Sequence, residues 1–318
     1  MSDPLALRRA LSFAQSIFAS KALLMCMAIL IFMPVTTASE LASDTRETPE
    51  RSITGFEGAD EQQPLWEVGL GGGVGEVPNY PASSERNFIA LAAPYVVYRG
   101  DVFRVGDGNG VRAVVAEDDK WEFDVSFGGA FAADSDDNTV REGMPELDVL
   151  FEVGPQLIYQ IHKRKFESGG QGRLNFRLQA RSVFSTDFSK IQHQGYVLEP
   201  ELQWQQRGYW RKDTALSVRL STTFASEKLH DYFYEVDETF VTEQRPFYDA
   251  SAGYLGADLG VALSFRISKN ARGFVGGSLR FHQGAANDDS PLFERKNTTQ
   301  LAAGFVWRLY QSDSKAGY

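Results

Sequence analysis

The sequence has very few of the residues that bind transition metals or act as sulfur nucleophiles. Its only cysteine is Cys26, and no two of its four histidines, His162, His193, His230 and His282, are close in the chain. Zinc sites of the Cys and His type use closely spaced ligands in characteristic patterns. The sequence therefore predicts no site of this type and no bound cofactor.

The sequence also lacks an obvious catalytic set, since nucleophilic catalysis requires a nucleophile with a base within reach. By strand alternation His162 and His282 are expected to face inward, where Ser264 or Ser278 could partner them. We interpret both as histidines that line a lumen, and we predict that the protein is not an enzyme.

Long apolar runs are scarce as well. A helical membrane protein needs runs of about 20 apolar residues, and the nearest approach is Ala22 to Val35, which is shorter and contains Pro34. Basic residues precede this run and Thr36-Thr37-Ala38-Ser39 follow it, which is typical of a secretory signal peptide. We predict a signal peptide over 1–38, with an N-terminal membrane anchor as the alternative.

Positive charge is in deficit, with 32 basic against 42 acidic residues. Without Arg8, Arg9, Lys21 and Asp3 of the signal, 29 basic and 41 acidic residues remain, a formal charge of −12. This charge argues against nucleic acid as a partner. Residues 39–64 are polar, acidic and aperiodic, so we predict a flexible periplasmic N-terminus there, with a binding tail as the alternative.

Alternation of apolar and polar residues is abundant. In WEFDVSFGGAF (121–131) the residues Trp121, Phe123 and Val125 share one face, and Glu122 and Asp124 lie on the other. The pattern recurs from Leu65 to Leu309 in segments of about 10 residues or more, the length at which a tilted strand crosses a bilayer. Strands of soluble sheets are usually shorter.

No second layer is predicted that could cover the apolar faces of these strands, and hydrocarbon tolerates a sheet only when it is closed. The sequence therefore predicts an all-β fold over 65–310, a transmembrane antiparallel up-and-down β-barrel. Short and long connections alternate if the tip DGNG at 107–110 is an outer turn, which gives about 12 strands with both chain ends in the periplasm. Residues 311–318 form a C-terminal tail.

The acidic groups of the long loops, Asp134, Asp136 and Asp137 together with Asp288 and Asp289, are interpreted as solvated, with an ion site as the alternative. Charged residues at inward positions of the strands are candidates for the lining of the lumen: Glu122, Asp124, Glu152, Arg173, Arg177, Arg181, Glu199, Glu201, Arg219, Arg266 and Arg280. Such a lining fits either a polar channel for small solutes or a plug of ion pairs, and twelve strands leave both open.

The last predicted strand contains Gly304, Trp307, Leu309 and Tyr310. A glycine followed by alternating aromatic and apolar residues is the pattern that outer-membrane assembly machinery reads at the end of a barrel, although here Gln311 to Tyr318 continue beyond it.

Five segments resemble, in order and spacing, the MipA/OmpV family of outer-membrane proteins. They are 79–101, LDVLFEVGPQLIYQI (147–161), FYDASAGY (247–254), DDSPLF (288–293) and the terminal GFVWRLY. The resemblance implies a barrel in the outer membrane of a Gram-negative cell, surrounded by its lipid. It also implies interaction with a membrane-bound lytic transglycosylase and a scaffold role between this enzyme and a murein synthase, and it brings no catalytic motif.

Overall fold

The computed structural model describes residues 56, 61–100, 103–105, 111–117, 120–130, 139–167 and 169–316. The predicted signal peptide, most of the acidic N-terminal segment and the loop acids Asp134, Asp136 and Asp137 lie outside these residues.

Within the described residues, twelve antiparallel strands form a single sheet, and each strand pairs with the next along the chain. They are β1 (Trp66–Pro78), β2 (Arg86–Arg99), β3 (Phe103–Val105), β4 (Val111–Glu117), β5 (Trp121–Ala130), β6 (Val149–Lys165), β7 (Gln171–Thr186), β8 (Ile191–Arg207), β9 (Thr214–Ala225), β10 (Gly253–Ser268), β11 (Ala271–Phe281) and β12 (Asn297–Gln311). Pairing of β1 with β12, from Glu67 opposite Gln311 to Glu76 opposite Leu301, closes the barrel. The predicted up-and-down barrel and its strand count are confirmed.

The outer surface of the barrel is apolar. Trp307 is 51% exposed, and Leu70, Phe123 and Leu202 are also exposed although they are large and apolar. Water would make such a belt unfavourable, whereas the hydrocarbon of a bilayer accommodates it and closure leaves no unpaired first or last strand. The apolar face of strands such as WEFDVSFGGAF (121–131) therefore contacts lipid, as predicted for a transmembrane barrel.

The described residues just before β1 and just after β12 meet at one end of the barrel, which we call the terminal end. Pro64 forms a bridge with Lys315, the Leu65 N–H donates to the Ser314 carbonyl at 2.9 Å, and the Ala316 N–H donates to the Gln63 carbonyl at 2.9 Å. Phe56 is only 5% exposed, with the Arg308 guanidinium 4.4 Å from its ring centroid. These residues belong to segments expected to be a flexible N-terminus and a tail, yet here they are held by contacts with each other and with the barrel.

The opposite end is closed by folded loops, which differs from the solvated loops that the sequence predicts. Helix α1 (Glu227–Tyr234) and the short 3-10 turns Thr139–Arg141 and Glu238–Phe240 lie in these connections. We call α1 with the loop segments 79–85, 139–148, 235–252 and 282–296 the cap. Its buried core joins Tyr80, Leu147, Leu229, Phe233, Tyr234 and Leu292 to Val183 and Val197 of the barrel. No helix among the described residues is long and apolar enough to span a membrane.

The cap escaped sequence analysis because α1 has only eight residues and its partners come from four separate loops. The acids Asp288 and Asp289 are exposed, but their neighbours Asn287 and Ser290 are buried. One loop therefore carries both solvated and core residues.

Candidate functional site in the barrel interior

The predicted lumen residues differ in how far the interior buries them. Glu122, Asp124, Arg173, Arg177 and Glu201 are buried, whereas Glu152, Arg181, Glu199, Arg266 and Arg280 are partly exposed and Arg219 is exposed. A role for any of them in binding a solute stays a prediction.

A chain of polar contacts crosses four neighbouring strands. Gln156 on β6 donates from Nε2 to both carboxylate oxygens of Asp124 on β5 at 3.2 Å, and its Oε1 accepts from Arg177 Nη2 at 2.7 Å. Arg177 on β7 then pairs with Glu201 on β8, with 3.0 Å between Nη1 and Oε1. The members lie on one face because strand alternation places them inward, and the register of the sheet brings them level. This arrangement occupies the interior beside β5 to β8.

Arg181 forms a second cluster nearer the cap. Its Nε lies 2.7 Å from Glu152 Oε2, its Nη2 lies 2.9 Å from Glu199 Oε2, and its Nη1 donates to Gln179 Oε1 at 2.6 Å. Arg280 lies on the other side of the interior, with its Nε 3.6 Å from Asp258 Oδ2.

A cavity of about 320 Å³ separates the Arg181 cluster from the cap. Its floor includes Glu152, Glu199 and Arg280, and its roof includes Tyr232 and Phe233 of α1.

A third cluster lies at the terminal end and contains a residue that sequence analysis missed. Glu67 on β1 accepts from Arg99 at 2.5 Å and is 3.3 Å from Arg308 of β12. Arg99 is the last residue of β2, and its Nη1 also donates to the Pro64 carbonyl at 3.0 Å. Extending the β2 alternation by two residues, from Val97, would have placed Arg99 inward. Arg266 contributes at the same end by donating to the carbonyl of Phe56.

The inward position expected for His162 is wrong. A β-bulge between Gln160 and His162 shifts the register, so that Gln160 lies opposite inward Asn175 but His162 lies opposite Leu174. His162 is exposed. A bulge adds one residue to a strand and so reverses the alternation beyond it.

His282 is buried but belongs to the cap, just beyond the end of β11. Its Nδ1 lies 3.2 Å from the Leu255 carbonyl, and its Nε2 lies 3.2 Å from the Ala82 amide nitrogen and 3.0 Å from Thr298 Oγ1. An amide N–H can only donate, so Nε2 accepts and Nδ1 carries the proton of a neutral ring. Burial lowers the pKa of His282 to about 4.

His230 of α1 is held in the same way. Its Nε2 is 3.2 Å from the Gly253 carbonyl and its Nδ1 is 2.8 Å from Asn287 Nδ2. Burial lowers the pKa of His230. Neither ring has a nitrogen left over for a serine hydroxyl, and Ser264 accepts instead from Arg272 at 2.9 Å. Within the described part of the chain, no group of three His, Cys, Asp or Glu residues is arranged to hold a metal ion.

The four residues proposed as an assembly signal lie on β12. Trp307, Leu309 and Tyr310 are exposed on the outer surface, and Gly304 faces the interior opposite Phe274 and Gly73. Recognition by assembly machinery remains a prediction.

Comparison with known proteins gives one family match. The family described as MltA-interacting protein MipA matches residues 69–309. No curated protein matches the chain.

Among solved structures, similarity is weak. A NanC porin is 9% identical over 76% of this chain and 100% of its own, with a TM-score of 0.36. A bacterial polysaccharide outer membrane secretin is 7% identical over 79% of this chain and 100% of its own, with a TM-score of 0.33. OmpT of Vibrio cholerae is 8% identical over 83% of this chain and 100% of its own, with a TM-score of 0.25. At these TM-scores the likenesses carry no argument.

Proposed function

Because this chain belongs to the MipA family of MltA-interacting proteins, we propose that it is a non-enzymatic outer-membrane protein that holds a murein-hydrolysing enzyme at the membrane. In this proposal the lytic transglycosylase binds at the terminal end, and a murein synthase is recruited through the same complex.

The observation that carries the proposal is the ordered surface at the terminal end. Segments before β1 and after β12 pair with each other through Pro64 and Lys315, and Phe56 packs against Arg308 beneath them. Lys315 and Ser314 are exposed there. Two segments fixed against each other and against the barrel offer a partner a rigid surface, which lowers the entropy lost on binding.

The orientation of the barrel supports the same surface. Short connections, such as the two residues between β10 and β11, lie at the terminal end, and the long connections form the cap. In outer-membrane barrels the short turns face the periplasm, where murein lies. The terminal end is therefore the end that a murein enzyme would meet.

The paired charges of the interior also favour a scaffold over a transporter. The Asp124 to Glu201 chain, the Glu67 cluster and the cap lie at three levels of the barrel. Charged side chains that pair with one another are less available to bind a passing solute.

The proposal is tested by surface plasmon resonance with the full chain in immobilised nanodiscs and a soluble lytic transglycosylase as analyte. We expect saturable binding that Lys315→Glu weakens by at least about tenfold, since it places a charge of opposite sign on the proposed surface.

Lys190→Glu is the matched control, because Lys190 is equally exposed but lies in the β7 to β8 loop at the cap end. Equal binding by the two variants, or no binding by the unmodified chain, would count against a scaffold that acts through the terminal end.

A passive diffusion channel for small polar solutes is the second candidate. It is favoured by the exposed side chain of Arg219, which points into the barrel and shows that part of the interior is unfilled.

A further inference from the structure

The inner wall formed by β10, β11, β12, β1 and β2 is uncharged over two successive rows of residues. One row runs Phe274, Gly304, Gly73 and Leu91, each residue paired with the next across neighbouring strands. The row nearer the cap runs Ala262, Gly276, Ala302, Gly75 and Ile89. Paired residues share a face, and Gly304 and Gly73 face inward, so both rows line the interior.

Open space remains beside this wall. Leu91 is 40% exposed and Phe274 is 37% exposed although both point inward, and Ala262 and Ala302 are exposed as well. The polar residues of β5 to β8 therefore do not cover them. We call the interior space bounded by the two rows the apolar groove.

The floor of the groove, formed by Gly73 and Gly304, has no side chains because the neighbouring strands are in close contact. A Cβ placed on Gly73 would lie 2.9 Å from the Ala303 carbonyl oxygen, and one on Gly304 would lie 2.8 Å from that of Gly72. Glycine is required at both positions by the backbone of the adjoining strand. Leu91 and Phe274 lie on either side of this floor and leave apolar surface in a polar interior, which is unfavourable until an apolar group covers it.

One cation lies at the cap side of the groove. Arg219 on β9 pairs with Gly260, one row above Ala262, and its side chain lies across that glycine, where a Cβ would be 2.7 Å from Nε. Arg219 is exposed and has no ion-pair partner among the described residues. Arg177 and Arg181, in contrast, are engaged by glutamates.

The dimensions of the groove favour an elongated ligand. The row from Ala262 on β10 to Ile89 on β2 crosses five strands, which gives about 19 Å at about 4.8 Å between neighbouring strands.

We propose that the apolar groove binds a single-chain anionic amphiphile, namely a long-chain carboxylate. Its head group binds Arg219 and its hydrocarbon chain lies along the glycine floor between Leu91 and Phe274. The positive charge of Arg219 favours an anionic head group, and the uncharged rows of the wall favour a hydrocarbon chain.

The test is equilibrium binding of radiolabelled palmitate to the full chain in nanodiscs, with empty nanodiscs as the blank. We expect saturable binding of one palmitate per barrel. Ala302→Phe fills the groove and is expected to weaken binding by at least about tenfold, because an aromatic ring occupies the space of the chain.

Ala303→Phe is the matched control, since Ala303 is exposed on the outer face of the same strand and its variant should bind as the unmodified chain does. Ala262→Phe fills the groove from β10 and replaces Ala302→Phe if that variant does not fold.

The head group is tested with Arg219→Gln. Loss of a charge-assisted contact is expected to weaken palmitate binding about tenfold or more while leaving binding of hexadecanol, which has no charge, unchanged. Absence of saturable palmitate binding, or equal binding by folded Ala302→Phe and Ala303→Phe, would overturn the proposal. Equal weakening of palmitate and hexadecanol by Arg219→Gln would overturn the assignment of the head group.

Discussion

At the residue scale, the interior shows how charged side chains are accommodated at bilayer depth. Asp124, Gln156, Arg177 and Glu201 each have a partner on the neighbouring strand, so the cost of removing them from water is offset by contacts of good geometry. Removing one member leaves the others buried without their partner.

Arg177→Met is therefore expected to lower the free energy of unfolding by about 3–5 kcal/mol, the usual cost of leaving one member of a buried pair alone. Urea unfolding of the barrel in lipid vesicles, followed by tryptophan fluorescence, measures this change. Arg211→Met is the matched control because Arg211 is exposed in the turn between β8 and β9. A loss of similar size in both variants would show that the buried contacts of Arg177 contribute little.

At the scale of elements, the cap contains two buried histidines, His230 and His282, through which its stability is expected to depend on pH. Gly195 of β8 lies where the cap contacts the barrel. Its φ is 116°, and a Cβ at this position would lie 2.2 Å from Ser226 Oγ, so there is no space for a side chain. The Ser226 hydroxyl accepts no capping hydrogen bond from α1, but it accepts from the Tyr196 N–H at 3.0 Å and so connects the helix start to β8.

The cap is expected to loosen as the pH falls from about 6.5 to about 4. Burial, the largest cause, lowers the pKa of His282 to about 4 from an ordinary value of 6.5, so the unfolded state takes up the proton first. The contribution of neutral His282 to the free energy of unfolding is fully present above pH 6.5 and is lost as the pH falls towards its pKa in the folded state. The change is about 3 kcal/mol for a shift of this size. His230, whose pKa is also lowered by burial, changes stability in the same direction.

A spin label on Lys228→Cys, exposed on α1, reports this transition through its mobility in electron paramagnetic resonance spectra. His282→Gln should reduce the pH dependence, whereas His162→Gln, at an exposed strand position, should leave it unchanged. A label whose mobility is constant between pH 7 and pH 4 would contradict the role given to the buried histidines.

At the scale of the whole molecule, three sets of side-chain contacts lie at successive levels of the barrel. The cap closes one end, the Glu67 cluster with Phe56 occupies the other, and the Asp124 to Glu201 chain lies between them. The unfilled space beside Arg219 lies within this closed interior.

We therefore expect the folded chain in a planar bilayer to show no discrete conductance, with folding verified by the heat-dependent shift of barrels in electrophoresis. Discrete, ion-selective openings would instead favour the diffusion channel and would weaken the argument for a scaffold from a closed lumen.

Much of this architecture could be predicted from the sequence. Strand alternation is a property of local covalent geometry, so WEFDVSFGGAF already shows that Trp121 and Phe123 face one way and Glu122 and Asp124 the other. Strand length and the alternation of short and long connections likewise indicated twelve strands and a closed barrel, and the resemblance of segments 79–101 and 147–161 indicated the family that the match over 69–309 establishes.

Other features were decided only by tertiary structure, because they depend on pairing between residues far apart in the chain. A one-residue bulge turned His162 outward, and the cap core assembled from loops that are each too short to show a pattern. The apolar groove exists because closure sets Gly73 of the first strand beside Gly304 of the last. Alternation determines which face a side chain occupies, but only register and closure determine which side chain lies next to it.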